Sequence, residues 1–192
     1  MSRGCREPTR SRGTRSASGL YQRHKLFFPK HDYEVDPGRL AFGQERLQVT
    51  PLQMAMVTAG IANGGVVMKP YVVEKITAPD GSTVSRTKPH VLSRAVSPKT
   101  AAELTAMMQA VVQSGTGTAA QIEGVSVAGK TGTAETGVSG VNTTSFLAFA
   151  PAEAPRVAVA VYLENQHGVG GRTAAPIAKA ILEKLLRNRS TP

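Results

Sequence analysis

Lys130, Thr131, Gly132 and Thr133 set one ammonium and two hydroxyls around a glycine within four consecutive residues. Side chains of these types hold anions through charge-assisted hydrogen bonds, and two backbone settings would use them in different ways. In the first, Gly124-Val125-Ser126-Val127-Ala128-Gly129-Lys130-Thr131 fits G-x-x-x-x-G-K-[ST], the loop that cradles phosphates ahead of a helix. In the second, the same residues lie on a strand, where alternation sends Thr131 and Thr133 to one face and Lys130 and Gly132 to the other. Gly132 then leaves room for a ligand or a second backbone to come close. An edge strand built this way pairs with an extended peptide while its hydroxyls and ammonium hold a carboxylate.

The surrounding residues favour the strand. A phosphate loop needs a buried strand before its first glycine and a helix starting at the Lys-Thr pair. Ala120-Gln121-Ile122-Glu123 makes a poor buried strand, Val125 to Ala128 alternates as a strand does, and Gly132, Gly137 and Gly140 would break a helix. Val157 to Leu163 followed by Glu164 imitates the acidic strand of such NTPases, but this does not restore the missing loop and helix.

A hydroxyl nucleophile needs a base within hydrogen-bond reach, and Ser-x-x-Lys supplies one when both residues lie on a helix. The sequence contains one such spacing, Ser85-Arg86-Thr87-Lys88. Pro89 follows it and the stretch falls at the end of a predicted hairpin, so the offset does not bring the two side chains together. No metal centre is expected: the four histidines (His24, His31, His90, His167) are far apart, and Cys5 is the only cysteine, which also excludes an intrachain disulfide.

These residues must be positioned by regular elements, and the signals for them are clear from Thr50 onward. Thr50 as N-cap, Pro51 at the first helical position, Gln53 completing a capping box and Asn63-Gly64-Gly65 as a stop predict a helix from Thr50 to Asn63. Val66 to Ile76, the turn Pro79-Asp80-Gly81 and Ser82 to Ser85 predict a hairpin. Ser97-Pro98 opens a second helix with Ala101, Leu104, Met108 and Val111 on one face, ending at Ser114-Gly115. Val125–Glu135, Thr144–Ala150 and Val157–Leu163 predict three strands, the last two joined by a short loop over Pro151 to Pro155. A closing helix spans Ala174–Leu186 with Ile177, Ile181 and Leu185 along one side. The expected class is α+β, an antiparallel meander backed by helices.

Charge is unevenly distributed. The net charge is +10, and residues 1–30 carry eight basic residues against Glu7, which accounts for +7 of it. Rich in Arg, Ser and Gly and poor in apolar residues, this stretch reads as a disordered basic arm over 1–36, with a folded domain over 37–192. Clustered arginine suits nucleic acid, but no aromatic residue is interleaved before Tyr21, and the solvated arm is the stronger reading. No apolar run reaches the roughly 18 to 20 residues that cross a bilayer.

One set of segments in order gives the strand motif its context: Gly43-Gln44, Thr50-Pro51-Leu52-Gln53-Met54-Ala55, Ile61-Ala62-Asn63-Gly64-Gly65, Lys69-Pro70, Lys130-Thr131-Gly132-Thr133-Ala134-Glu135, Phe149-Ala150-Pro151, and Gly170-Gly171 with Ala174-Ala175-Pro176. Over about Leu40 to Leu186 the chain resembles the C-terminal part of the transpeptidase domain of class B penicillin-binding proteins, most closely the actinobacterial enzymes. K-T-G is itself among the signatures of penicillin-binding proteins and serine β-lactamases.

The resemblance implies part of the penicillin-binding-protein and serine β-lactamase-like fold, incomplete at its N-terminal side. It implies that Lys130 supports the electrostatics around a serine nucleophile and that Thr131 and Thr133, with Gly132 between them, bind the terminal carboxylate of a peptidoglycan stem peptide or a β-lactam. The backbone N–H of Thr133 would be one of two oxyanion donors. No cofactor is implied; cell-wall synthesis machinery is the implied partner, and the family is membrane-anchored and extracytoplasmic. The departure is the nucleophile. No serine with a helical lysine three residues on and no Ser-x-Asn precedes Gly43-Gln44, so the expectation is a truncated transpeptidase that does not acylate alone. The alternatives are a non-catalytic, partner-binding remnant and, fitting Thr-Pro-Leu-Gln and Ile-Ala-Asn-Gly-Gly less well, a serine β-lactamase or β-lactam sensor.

Overall fold

The computed structural model describes residues 18–22 and 25–188. Its centre is a three-stranded antiparallel sheet of β8 (Ala128–Glu135), β9 (Asn142–Ala150) and β10 (Val157–Gln166), in the order β10-β9-β8. This is the meander that alternation predicts. The register pairs Thr131 with Phe146 and Gly132 with Ser145 on one side of β9, and Phe146 with Val161 on the other.

Helices cover both faces because both faces are apolar. Phe146, Ala148, Ala150, Val159 and Val161 form one buried cluster with Ala174, Ala175, Ala178 and Leu182 of α4 (Gly170–Asn188). On the opposite face Phe149, Ala128 and Ala152 are buried against Met108 of α3 (Pro98–Gln113), with Ile61 and Ala62 of α2 (Pro51–Ala62) packed alongside. Met108 belongs to this second cluster and Val112, one turn later, to the first. Ala128 and Gly129, where α3 packs, are buried, and the strand becomes exposed at Lys130.

The helix starts follow the predicted capping chemistry. Thr50 Oγ1 accepts from Gln53 N at 3.2 Å, and Ser97 Oγ accepts from Thr100 N at 3.1 Å, with proline in the first turn of each helix. The capping box closes differently from expectation. Thr50 N donates to Ser18 Oγ, while Gln53 Oε1 accepts from Ser18 N and from both the Ser18 and Thr50 hydroxyls.

Ser18 reaches the helix because β1 (Gly19–Gln22) pairs with β3 (Leu47–Gln48) and with β2 (Lys25–Leu26). Regular structure therefore starts before the predicted boundary at Pro37, which itself opens a short helix, α1 (Pro37–Ala41). Strand pairing over a separation of more than 20 residues leaves no local signature, which is why an Arg-rich composition concealed it. Residues 1–17 of the predicted arm lie outside the described residues.

Two further predictions are revised. The hairpin around Pro79-Asp80-Gly81 forms from β5 (Lys75–Thr77) and β6 (Thr83–Arg86), with Asp80 Oδ1 accepting from Ser82 N at 2.9 Å and Ser82 Oγ at 2.7 Å. These two bonds hold the Asp80 carboxyl below its usual range. Val66–Met68, however, is a separate strand, β4, which pairs with β7 (Val91–Arg94). On α4, Ala174, Ala175, Ala178 and Leu182 face the sheet, while Ile177, Ile181 and Leu185 remain 38–41% exposed. Small residues let a helix axis lie close to strands, and this selects the alanine face over the isoleucine stripe.

Candidate active site

The candidate site lies on the outer edge of β8. Lys130 and Thr131 continue the strand as far as Glu135, so the helix that a phosphate loop requires is absent and the strand setting holds. Lys130 and Gly132 share one face with Ser145, and Thr131 and Thr133 share the other, which faces α4.

The Lys130 side chain is exposed and its ammonium donates to Thr131 O at 2.7 Å. Thr131 and Thr116 hydroxyls share a hydrogen bond at 2.8 Å. Thr133 Oγ1 accepts from Gly170 N, at the first residue of α4, at 3.3 Å. Both threonine hydroxyls are thus oriented by partners outside the strand, and one of these partners is a helix N-terminus that favours negative charge. Beneath them, the buried Thr144 hydroxyl accepts from Thr173 Oγ1 at 2.7 Å, tying β9 to the first turn of α4.

Gly170 and Gly171 make this approach possible. A Cβ on Gly171 would stand 2.1 Å from the Thr116 carbonyl oxygen and 3.6 Å from the Thr131 methyl group. A Cβ on Gly132 would stand 2.3 Å from Ser145 Oγ. Tyr162 lies across from Ser145, and its burial pushes the phenol pKa up, with the Ser145 hydroxyl pulling in the opposite direction. Nothing in the sequence marked Thr116 as part of the site, because its role comes from a contact across 15 residues. The Gly170-Gly171 pair was visible as a segment, but its proximity to β8 was not.

Thr116→Val keeps the side-chain shape and removes the hydroxyl shared with Thr131. A loss of about 1 kcal/mol in denaturant stability is expected, with altered amide resonances confined to Thr131 through Thr133. Thr116→Ser should restore both, and an unshifted Thr131 in the valine variant would show that the pair does not orient the strand.

Ser85 lies on β6 opposite Ile76, and Lys88 lies beyond the end of that strand, so no helix joins them. Among the described residues no group of histidine, cysteine, aspartate and glutamate is placed to hold a metal ion, and no helix is long and apolar enough to cross a membrane.

The arrangement of a K-T-G edge strand, an antiparallel meander and a covering C-terminal helix can be compared with known proteins. Residues 7–183 match the penicillin binding protein transpeptidase domain family. The chain is 46% identical over 160 residues to peptidoglycan D,D-transpeptidase PbpA of Mycolicibacterium smegmatis, covering 80% of this chain and 32% of that protein. It is 34% identical over 161 residues to stage V sporulation protein D of Bacillus subtilis, covering 79% of this chain and 25% of that protein. Among solved structures, penicillin-binding protein A of M. tuberculosis in its ceftriaxone acyl-enzyme complex superposes with a TM-score of 0.71 at 41% identity, covering 76% of this chain and 34% of that one. The D,D-transpeptidase domain of an Eggerthella lenta peptidoglycan glycosyltransferase gives a TM-score of 0.68 at 39% identity, covering 84% and 37%. The chain spans about a third of the length of most of these relatives and about a quarter of the sporulation protein. A match over nearly the whole chain, agreeing with the strand and helix that build the site, identifies the protein as a member of the penicillin-binding-protein transpeptidase family.

Proposed function

We propose that β8 is the substrate-binding wall of a D,D-transpeptidase centre that cross-links peptidoglycan. The observation carrying this reading is the strand edge that leaves the core at Lys130 and reaches solvent at least in part as far as Glu135, with the Thr131 and Thr133 hydroxyls held in place by Thr116 and Gly170. In this reading the two hydroxyls bind the terminal carboxylate of a stem peptide or the corresponding carboxylate of a β-lactam. Lys130 contributes positive potential beside the nucleophile, and Gly132 lets the ligand backbone approach. The Thr133 N–H serves as one oxyanion donor.

The reaction class is acyl transfer. A serine attacks the carbonyl of the penultimate D-alanine, the terminal D-alanine leaves, and the acyl group passes to an amine of a second stem. In the 192 residues the only Ser-x-x-Lys is Ser85 to Lys88, and there is no Ser-x-Asn. The chain by itself is therefore a binding wall without a nucleophile. Its family setting is the extracytoplasmic cell wall, with the synthesis machinery as partner. The acyl-enzyme complexes of the M. tuberculosis relative support β-lactams as ligands of this site.

Incubation with a fluorescent penicillin should leave the denatured chain unlabelled, while N-acetyl-D-alanyl-D-alanine should perturb the amides of Lys130 through Thr133 reversibly. A covalent label surviving denaturation would refute the missing nucleophile. Perturbation that spares β8 at millimolar ligand would refute the carboxylate wall.

A further inference from the structure

The two strand pairs between α2 and α3, β4–β7 and the β5–β6 hairpin nested within it, bring together positive charge that the transpeptidase reading leaves unused. Residues 69–94 contain Lys69, Lys75, Arg86, Lys88 and Arg94 against Glu74 and Asp80, a net +3 from five bases and two acids. That equals the net charge of the whole of residues 31–192, which is +10 for the chain less +7 for residues 1–30. Two backbone contacts bring the ends of these strand pairs together, with the basic side chains exposed. Lys69 N donates to His90 O at 2.8 Å, extending the β4–β7 ladder, and Thr87 N donates to Glu74 O at 2.8 Å, extending the β5–β6 ladder.

Where these ladders meet, Lys69, Pro70, Tyr71, Thr87, Lys88 and His90 line a cleft of about 400 Å³. No acidic side chain lines it. Glu74, the nearest carboxylate in sequence, pairs with Arg86 at 3.0 Å, and Asp80 is committed to Ser82 at the hairpin tip. Among the described residues neither lysine ammonium nor the His90 ring has an ion pair or side-chain hydrogen bond. The Thr87 hydroxyl is anchored on Val73 O at 2.6 Å, which fixes the wall between the two strands. Two ammonium groups lining one cleft without a carboxylate there set up a positive potential that an anion between them would neutralise.

We propose that this cleft is a binding site for a phosphate-type anion. Lys69 and Lys88 supply the charge, and His90 and the exposed edge of Tyr71 supply further donors. Lysine acts as a point charge toward phosphate and requires no planar fork, so a multiply charged tetrahedral oxyanion can engage both ammonium groups at once. The phosphate has two possible sources. One is a free phosphate group and the other a lipid headgroup; the exposed Tyr71, Val72 and Val73 beside the cleft are side chains that a bilayer interface would accept.

The test uses the full chain, with inorganic pyrophosphate as the soluble probe and phosphatidylglycerol–phosphatidylcholine vesicles as the membrane probe. Because the Arg-rich N-terminal stretch also attracts anions, the paired variant Lys69→Ala/Lys88→Ala is compared with Lys99→Ala/Lys184→Ala, which removes the same charge elsewhere. Pyrophosphate should shift the amides of Lys69, Lys88 and His90 saturably. The cleft variant should weaken this binding by about tenfold or more, and the control by less than about twofold. Lys69→Arg/Lys88→Arg should retain it. If vesicles bind through the same amides and pyrophosphate displaces them, the source is the headgroup; if pyrophosphate binds and vesicles do not, it is a free phosphate. Equal losses in the cleft and control variants, or no saturable shift at these amides with either probe, would overturn the site.

Discussion

Gly170→Ala should lift the start of α4 off the sheet and take the Thr133 anchor with it. A Cβ at this position would come within 2.4 Å of the Ser145 carbonyl oxygen and 2.5 Å of the Gly132 carbonyl oxygen. Both obstacles are backbone atoms of paired strands, so neither can rotate away. Alanine favours a helix interior by about 1 kcal/mol over glycine, but overpacking of this kind costs about 1 to 3 kcal/mol or more. Overlap with two carbonyls on rigid strands puts the balance on the destabilising side. Thermal unfolding should shift downward by several degrees, and the amides of Gly132 and Thr133 should move with the loss of the Gly170 N–H bond to Thr133 Oγ1. Arg172→Ala, at an exposed position in the same turn, should change stability by less than about 0.5 kcal/mol. A Gly170→Ala chain that melts with the parent and keeps the same amide positions would show that α4 does not need this approach.

The second large effect is Phe146→Ala. This ring is fully buried between Thr131 on β8 and Val161 on β10, its two cross-strand partners. It also fills the space left by two glycines: a Cβ on Gly129 would meet the ring at 2.6 Å and one on Gly117 at 3.1 Å. Truncation leaves a cavity walled by strands that cannot close over it, at a cost of about 3 to 5 kcal/mol. For a chain of this size the midpoint should fall by on the order of 10 °C. Because the cavity opens directly beside Thr131, binding of N-acetyl-D-alanyl-D-alanine should weaken even at temperatures where the chain remains folded. Circular dichroism melts and amide titrations read the two effects separately. A loss under about 1 kcal/mol would mean the core relaxes around the missing ring and is not the rigid support for β8 described here.

Together these variants test one idea, that the site is a strand edge held from behind. In the proposed function the Thr131 and Thr133 hydroxyls serve a ligand only if β8 stays flat, and flatness depends on Phe146 beside Thr131 on β9 and on α4 packed over the same face. Thr116 then sets the rotamer of Thr131 from outside the sheet.

The sequence by itself determined the elements whose cause is local. Thr50-Pro51 and Ser97-Pro98 specify helix starts through caps that act within one turn, and the alternation of Val157 to Leu163 specifies a buried strand. It also separated the two readings of Lys130, because Gly132, Gly137 and Gly140 forbid the helix that a phosphate loop needs. The ordered segments around the motif pointed to the family that the whole-chain match then identified. What only the tertiary structure decided are the long-range pairings, which leave no periodic trace. Ser18 completes the cap of α2 through a strand that composition assigned to a basic arm, and Val66–Met68 pairs with β7 instead of joining the neighbouring hairpin. On α4 both the isoleucine stripe and the alanine stripe have helical spacing, and only the closeness of β9 and β10 selects the alanines for the inner face. For the same reason Lys130 to Thr133 could be singled out from residue type as candidates for holding a carboxylate, while Thr116, Gly170 and the buried ring, which pack against them, could not. Residue type discloses what chemistry a side chain can perform, and which distant backbone stands within 3 Å of it is fixed only when the layers pack.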